Sequence, residues 1–478
     1  MSTVQTAPSV LVVDLDGTLL RSDMLYETFW SAVARDWRTL FTALAVLPRG
    51  RLALKTVLAG LAPVDETTLP YDRAVIDLVR SHREAGGRTA LVSASEQGLV
   101  RRIADHLGLF DEAHGSQGGI NLKGAEKRAF LAERYGDGGF VYAGDSRADL
   151  EVWKSAETII TVNAGAAVRA QAEQIGPPVT HMSGPSPVVG AHVRTLRPHQ
   201  WLKNGLIFVP LLASHSLDLA LITDALLAFV GFCLIASGVY VLNDLLDLTA
   251  DRAHPRKRHR AFASGTVPPA HGLVLLPALL AAGGAVSLLA GWAFALVMAV
   301  YFVLTTAYSL RLKRQVGIDI CALAILYSLR IVAGGVATGI AISSWLLAFS
   351  LFFFFALAAL KRQGELVDLS RRDRLRASGR GWTVEDLSVL NAAVLASGYL
   401  SVLVMALYVN SDEVRLLYGQ PAALWGVCVI LFYWITRAEL LTNRGQMHDD
   451  PIIFAIRDRV SHYCLGGIMA LGIAGAML

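Results

Sequence analysis

Three carboxylates mark the middle of the 478-residue chain: Asp244, Asp247 and Asp251, in Asn243-Asp244-Leu245-Leu246-Asp247-Leu248-Thr249-Ala250-Asp251. Spaced three and then four apart, they share one face if the stretch is helical. Like charges that close repel, and placing them beside an apolar membrane core costs more still. A divalent cation removes both objections. Magnesium fits best, because it is held by a few carboxylates and completed by a substrate's phosphate oxygens. The basic residues that follow, Lys257 and Arg258 among them, are placed to grip the rest of such a phosphate. A second acidic pair, Asp14 and Asp16, stands near the N-terminus in Asp14-Leu15-Asp16-Gly17-Thr18-Leu19. Two aspartates two apart, followed by a glycine that lets the chain turn, supply a nucleophile and a neighbouring acid/base.

The elements that must position these groups differ in kind. Val10-Leu11-Val12-Val13 reads as a buried strand, so Asp14 falls at its C-terminal end, where doubly wound α/β folds place their sites. Ala220 to Leu242 is an apolar run long enough to cross a bilayer, and it ends at Asn243. With 54% of its residues apolar, the chain is not one soluble domain. No signal peptide is expected, since Met1 to Ser9 is short and polar. Nine spans are predicted, at about 204–217, 220–242, 271–289, 291–308, 317–340, 343–360, 388–409, 421–440 and 460–477. The loops 243–270, 309–316, 361–387 and 441–459 carry nearly all the Lys and Arg after residue 220. By the positive-inside rule they face the cytoplasm, as does the N-terminal domain of what is then a multi-pass cell-membrane protein. Cys233, Cys321, Cys428 and Cys464 all fall in apolar segments, which argues for packing rather than disulfides or zinc. The net charge of +4 is mild and gives no support to a nucleic-acid partner. A homo-oligomer is left open.

The Asp14 motif resembles the first motif of the haloacid-dehalogenase superfamily, mostly magnesium-dependent phosphatases. The other three motifs follow in order. Ser93 ends the strand Ala90-Leu91-Val92-Ser93 and would hydrogen-bond a phosphoryl oxygen. Lys127 would pair with Asp14 and the phosphoryl group, with Lys123 the competing assignment. Gly144-Asp145-Ser146-Arg147-Ala148-Asp149 is the acidic turn. The resemblance implies magnesium held by Asp14, the carbonyl of Asp16 and Asp145, with Asp149 in support. A helical insert at about 22–71 is the expected cap over the site. Its core is ordinary, although Leu40 to Leu61 is apolar enough to lie against a membrane.

The Asn243 motif resembles the first aspartate-rich motif of the UbiA superfamily of intramembrane prenyltransferases. With His254, Pro255 and Lys257 following, it is most similar to the polyprenyl-phosphate phosphoribosyltransferase branch. The division expected is a phosphatase domain at 1–175, a Pro/Gly/Ser linker at 176–193, and an all-helical membrane domain at 194–478. Trp201 and Lys203 suit an interfacial anchor. Tyr308, Lys313 and Arg330 are candidate substrate contacts, although Arg330, deep in an apolar segment, equally fits a buried ion pair. Ordinary prenyltransferases of this superfamily carry a second Asp-x-x-x-Asp motif. This chain has Lys361, Arg362, Glu365 and Asp368 there, followed by Asp373 and several arginines. Lys361, Arg362 and Glu365 match the branch's own pattern, and Asn243 and Lys203 join them as expected substrate-binding residues. His448, Asp449 and Asp450 before Pro451 fit either a second metal site or helix capping.

The reading that follows is a bifunctional membrane enzyme with one magnesium in each domain. The resemblance implies 5-phosphoribosyl transfer from phosphoribosyl diphosphate to a polyprenyl phosphate, with Asp244 and Asp247 catalytic. The fused phosphatase, with Asp14, Asp16, Ser93 and Lys127, would then remove the 5-phosphate of the product. Two alternatives compete: prenyl transfer to an aromatic acceptor, and a non-catalytic membrane scaffold.

Overall fold

The computed structural model describes residues 9–61, 64–182, 189–216, 218–372, 381–447 and 450–477. Asp373, Arg374, Arg376, His448 and Asp449 lie outside the described residues. The chain packs as two units, Met1–Arg197 with Tyr240–Pro277, and Pro198–Val239 with Ala278–Leu478.

The first unit is built on six parallel strands: β1 (Val10–Val13), β2 (Thr89–Glu96), β3 (Glu112–Ser116), β4 (Phe140–Gly144), β5 (Thr158–Val162) and β6 (Val179–Met182). Their order in the sheet is β3-β2-β1-β4-β5-β6. Val13 lies between Leu91 of β2 and Ala143 of β4. Runs such as Val-Leu-Val-Val suit this place because both faces of a parallel sheet are covered. Alternate side chains go to opposite faces. Leu11, Val13 and Leu91 pack with Val75, Val79 and Ile103, while Val12, Val92 and Tyr142 pack with Leu131 and Trp153. The strand order reverses between β1 and β4, which opens a crevice beyond their C-terminal ends. Asp14 follows β1 there and Asp145 follows β4.

The insert after β1 is helical, with Met24–Arg35, Thr39–Val46 and Arg51–Leu61. Asp23 caps the first helix by accepting from the Leu25 amide at 2.8 Å. Ala32, Ala43, Val46, Leu54 and Leu58 form its small core, whereas Trp37, Phe41 and Leu44 face outward.

In the membrane part, eight helices among the described residues are long and apolar enough to cross a bilayer. They are Leu219–Leu246, Pro269–Leu289, Trp292–Leu310, Ile318–Thr338, Ser344–Ser370, Val384–Val409, Pro421–Asn443 and Arg459–Met477. This is a multi-pass membrane protein. The predicted span at 204–217 is instead a 3-10 stretch, Pro198–Phe208, and a short helix, Val209–Ala213. Its apolar run is well short of the roughly 20 residues that a spanning helix needs. The 3-10 backbone lies close against Gly334, where any Cβ would fall 2.0 Å from the Ile207 carbonyl oxygen.

A second departure concerns the aspartates. The helix ends at Leu246, and Asp247 (φ −98°, ψ 13°) separates it from Leu248–Ala253. Asp244, Asp247 and Asp251 therefore do not share the face of one unbroken helix. Of the cysteines, Cys233 and Cys428 are buried as expected for packing, while Cys321 faces outward.

Candidate functional site

In the first unit the crevice gathers four carboxylates around one ammonium. Lys127 Nζ donates to Asp14 Oδ1 at 2.8 Å, to the Tyr142 hydroxyl at 2.9 Å and to the Val92 carbonyl at 3.2 Å. Tyr142 in turn donates to Asp149 Oδ1 at 2.8 Å. Lys123, in the bend before helix Ala125–Tyr135, is exposed, so the geometry separates two lysines that spacing alone left in competition. Asp149 Oδ2 accepts from the Ser146 amide (2.9 Å) and hydroxyl (2.8 Å), which shapes the acidic turn. Asp16 Oδ1 accepts from the Met24 amide at 2.8 Å. Its other oxygen accepts from Ser95 Oγ at 2.7 Å, with Ser93 Oγ further away at 3.4 Å. Ser93 is fully buried, and its oxygen accepts from the Ser95 amide at 3.0 Å. Sequence reading missed Ser95 and Tyr142, although Ser95 sits two residues along the same strand, on the same face as Ser93.

Oxygens of Asp14, Asp145 and Asp149 all lie within 4.8 Å of one another. Burial, only partly offset by Lys127, raises the Asp14 carboxyl to about 6. Burial, with Asp23 nearby, does the same for Asp16. Asp145 is held well above the usual carboxylate range by burial and by its neighbours Asp149 and Asp14. One lysine does not balance this charge, and hard oxygen donors at this spacing fit magnesium. Gly17 is needed beside them: its φ is +78°, and a Cβ there would fall 2.2 Å from Asp145 Oδ2.

The aspartate-rich stretch, also in the first unit, is tied to arginines. Arg197 hydrogen-bonds Asp244 Oδ1 and lies over the Tyr240 ring at 5.2 Å. Arg260 Nη1 bridges Asp244 Oδ1 (3.1 Å) and Asp251 Oδ2 (2.6 Å). Burial raises the Asp251 carboxyl even with Arg260 beside it. Asn243 Oδ1 is buried and has no hydrogen-bond partner among the described residues. This orphaned amide oxygen, next to Asp244 and four residues before the half-buried Asp247 in sequence, is a hard donor of the kind magnesium takes. Lys257 is half-buried and Arg258 exposed, in the 3-10 turn Lys257–His259. Arg197 and Arg260 were not foreseen, because neither has a fixed spacing to the acids it serves.

The second unit holds two polar clusters. In one, Lys203 Nζ (2.7 Å) and Lys361 Nζ (3.0 Å) both donate to Asp450 Oδ2. Tyr327 donates to the same carboxylate at 3.3 Å, and its ring lies 5.7 Å from Lys203 Nζ. Burial alone would raise the Asp450 carboxyl, but Lys361 and Lys203 hold it well below its usual range. Burial lowers Lys203 to about 8 against the pull of Asp450. Asp450 also caps Pro451–Arg457 by accepting from the Ile452 amide at 3.2 Å. Arg330, 5% exposed, donates to Asn204 Oδ1 at 3.1 Å and lies 5.1–5.4 Å from the Phe232, Tyr301 and Tyr327 rings. It meets no carboxylate among the described residues.

In the other cluster Arg362, 1% exposed, is held by three protein side chains, one on each nitrogen. Its partners are Asp319 Oδ2 (2.5 Å), Glu365 Oε2 (2.5 Å) and the Tyr308 hydroxyl (2.7 Å). Trp382 Nε1 donates to the second Asp319 oxygen at 2.9 Å. Lys313 stands in the 3-10 turn Leu312–Arg314.

Residues 206–444 match the model of the UbiA prenyltransferase family. The chain belongs to that family. Residues 11–154 match the haloacid dehalogenase-like hydrolase family, so this UbiA enzyme carries a haloacid-dehalogenase-like domain at its N-terminus. It is 39% identical to the uncharacterized protein y4nM of Sinorhizobium fredii, over 98% of this chain and 91% of that one. The nodulation protein NoeC of Azorhizobium caulinodans is 37% identical over 59% of this chain and 91% of its own length. The decaprenyl-phosphate phosphoribosyltransferase of Mycobacterium tuberculosis is 38% identical over 61% of this chain and 96% of its own length.

Proposed function

We propose that the membrane part moves a 5-phosphoribosyl group from phosphoribosyl diphosphate to the phosphate of a polyprenyl phosphate. The haloacid-dehalogenase-like domain then removes the 5-phosphate from the lipid product. The observation that carries this reading is the charge of the second unit's polar cluster. Lys203 and Lys361 both pair with Asp450, and Arg330 lies against the same Tyr327 ring as Lys203, so cations outnumber the carboxylate they meet, where prenyl transfer would call for a second pair of metal-binding acids. Cations in excess suit a substrate with several phosphates. The mycobacterial relatives named as decaprenyl-phosphate phosphoribosyltransferases align with this same part of the chain and add support.

In the transfer, a lipid phosphate oxygen bonds to the anomeric carbon of ribose as the bond to diphosphate breaks. Positive charge develops on the sugar and negative charge on the leaving group. Asn243, Asp244 and Asp247 would hold magnesium, which when bound neutralises that leaving charge. Lys257 and Arg258 offer further cations for the diphosphate, and Lys203 and Lys361 for phosphate oxygens. In the hydrolysis, Asp14 attacks phosphorus and Asp16, its proton retained toward neutral pH by burial, protonates the departing ribose oxygen. Lys127 holds Asp14 in line, and water then releases phosphate. Asp14, the Asp16 carbonyl and Asp145 would hold the second magnesium. The division into 1–175, 176–193 and 194–478, the cytoplasmic N-terminal domain and the cell membrane belong to the same proposal.

Purified protein with magnesium, a polyprenyl phosphate and radiolabelled phosphoribosyl diphosphate should pass label to the organic phase, and Asp244→Ala should abolish this. No label there, with turnover of a prenyl diphosphate and an aromatic acceptor instead, refutes the transfer reading. Asp14→Asn should accumulate lipid that still bears the 5-phosphate; unchanged product composition refutes the coupling.

A further inference from the structure

The cavity above the phosphatase aspartates, about 650 Å³, is far larger than one phosphate requires. Asp14, Asp16, Lys127 and Asp145 line its floor. Besides Arg21, which is paired with Asp72, three cations line its sides: Lys55 of the helical insert, Lys123, and Arg169 of helix Ala166–Glu173. Lys55 Nζ donates to the Ala94 carbonyl and Arg169 Nε to the Ala164 carbonyl, both at 2.8 Å. These carbonyl partners carry no charge; the carboxylates that face the lysines are Asp23, for both Lys55 and Lys123, and Asp16, for Lys55.

The remaining side comes from far along the sequence. Gly265, Thr266, Pro268 and His271 line the same cavity, although they fall inside the stretch matched to the UbiA family. They are held there firmly. Gly265, at φ +70°, lies so close to Arg21 that a Cβ would fall 2.8 Å from the Arg21 Cβ and 2.9 Å from its carbonyl oxygen. Arg252 makes a two-pronged pair with Glu27, 2.8 Å on each prong, and its Nε donates to the Ala263 carbonyl at 3.0 Å. Both partners are almost completely buried, at 5% and 4% exposure. The Ser22 hydroxyl, itself at the cavity edge, also donates to Glu27. A buried fork of this kind fixes orientation as well as distance.

We infer that residues 264–271 are a wall of the phosphatase substrate site, and that this site selects a phosphomonoester carrying a second phosphate group, which Lys55, Lys123 and Arg169 bind. The monoester sits over Asp14, and the second phosphate is held but not cleaved. Water supplies hydroxyl to the released phosphate and a proton to the alcohol. The inference rests on the phosphatase reading and narrows its substrate class; the Arg252–Glu27 pair positions the wall.

The test uses the full chain in detergent with magnesium and follows phosphate release from p-nitrophenyl phosphate, ribose 5-phosphate and ribose 1,5-bisphosphate. The native enzyme should prefer the bisphosphate to the monophosphate by about tenfold or more in kcat/KM, the scale of a lost charged hydrogen bond. Arg169→Ala, a change at a half-buried position on the cavity edge, and Lys55→Ala should bring that ratio toward one. Glu27→Gln and Arg252→Gln should lower the same ratio, and Arg252→Lys should retain part of it. A purely structural role would depress both substrates together and leave the ratio alone, which overturns the inference. Hydrolysis of all three compounds without preference also overturns it, and leaves the phosphatase reading standing. No release from any of them, with Asp14→Asn indistinguishable from native, overturns both.

Discussion

Replacing Arg362 by methionine distinguishes a residue that builds the membrane unit from one that binds substrate. Arg362 and Asp319 are 1% and 0% exposed at the side chain, and the arginine also serves Glu365 and Tyr308. Among the described residues, removing it leaves the Asp319 carboxylate with the Trp382 indole and the start of helix Ile318–Thr338. Breaking one side of a buried ion pair costs about 3–5 kcal/mol, because the remaining charge stays buried without compensation. For a unit of this size each kcal/mol is about 2–4 °C, so the melting temperature should fall by roughly 6–20 °C. Pairing Arg362→Met with Asp319→Leu removes the orphaned charge, and should recover most of the loss, since apolar replacements of buried pairs are often neutral. Thermal unfolding in detergent, followed by tryptophan fluorescence, measures both variants against the native protein. An Arg362→Met protein that melts within about 2 °C of native, yet has a KM for phosphoribosyl diphosphate raised tenfold, refutes the reasoning and returns Arg362 to the substrate.

Other outcomes follow from the same geometry. Gly17→Ala should abolish phosphate release, since the new Cβ would collide with Asp145 and L residues disfavour φ near +78°; a phosphate-release assay with native-like melting checks it. Lys127→Met should abolish hydrolysis and destabilise the first unit by about 3 kcal/mol, read as a lower melting temperature. Asp14 and Asp16 are raised from an ordinary carboxyl value of 3.8 to about 6. Their contribution to stability is therefore full below the unfolded value and lost as pH rises through about 6. Magnesium should accordingly raise the melting temperature more at about pH 8 than at about pH 5; an equal rise at both would contradict the assignment. Lys203→Met should lower transfer to the lipid and leave hydrolysis of p-nitrophenyl phosphate intact, measured side by side on one preparation.

What the sequence revealed was local. Each phosphatase motif is a short apolar strand followed at once by its polar residues, so β1 with Asp14, and β4 with Asp145 and Asp149, can be found without knowing the sheet. The apolar runs announced the spans for the same reason. Spacing failed where two candidates sit four residues apart, as with Lys123 and Lys127, because both fit the motif and only packing separates them. It also failed at Asp247, where a helical repeat of acids conceals a break in the helix. Nothing local could have joined Glu27 to Arg252, or Lys203 to Asp450, which lie 225 and 247 residues apart. Such pairs arise only once the chain has folded. The stretch at 204–217 misled for the opposite reason: its composition is apolar, but its length does not reach across a bilayer.

The wall formed by residues 264–271 also fixes an order of events during synthesis. All six strands lie within the first 182 residues, so the sheet and its aspartates can assemble while the rest of the chain is still being made. Helix Leu219–Leu246 must leave the ribosome before residues 264–271 do. Glu27 and Arg21 therefore wait for partners that arrive only after the first span is available for membrane insertion. A nascent domain that has not reached this stage has its nucleophile but lacks one side of its pocket. On the proposed reading, discrimination among phosphate esters is acquired late, when the first membrane span has already been made.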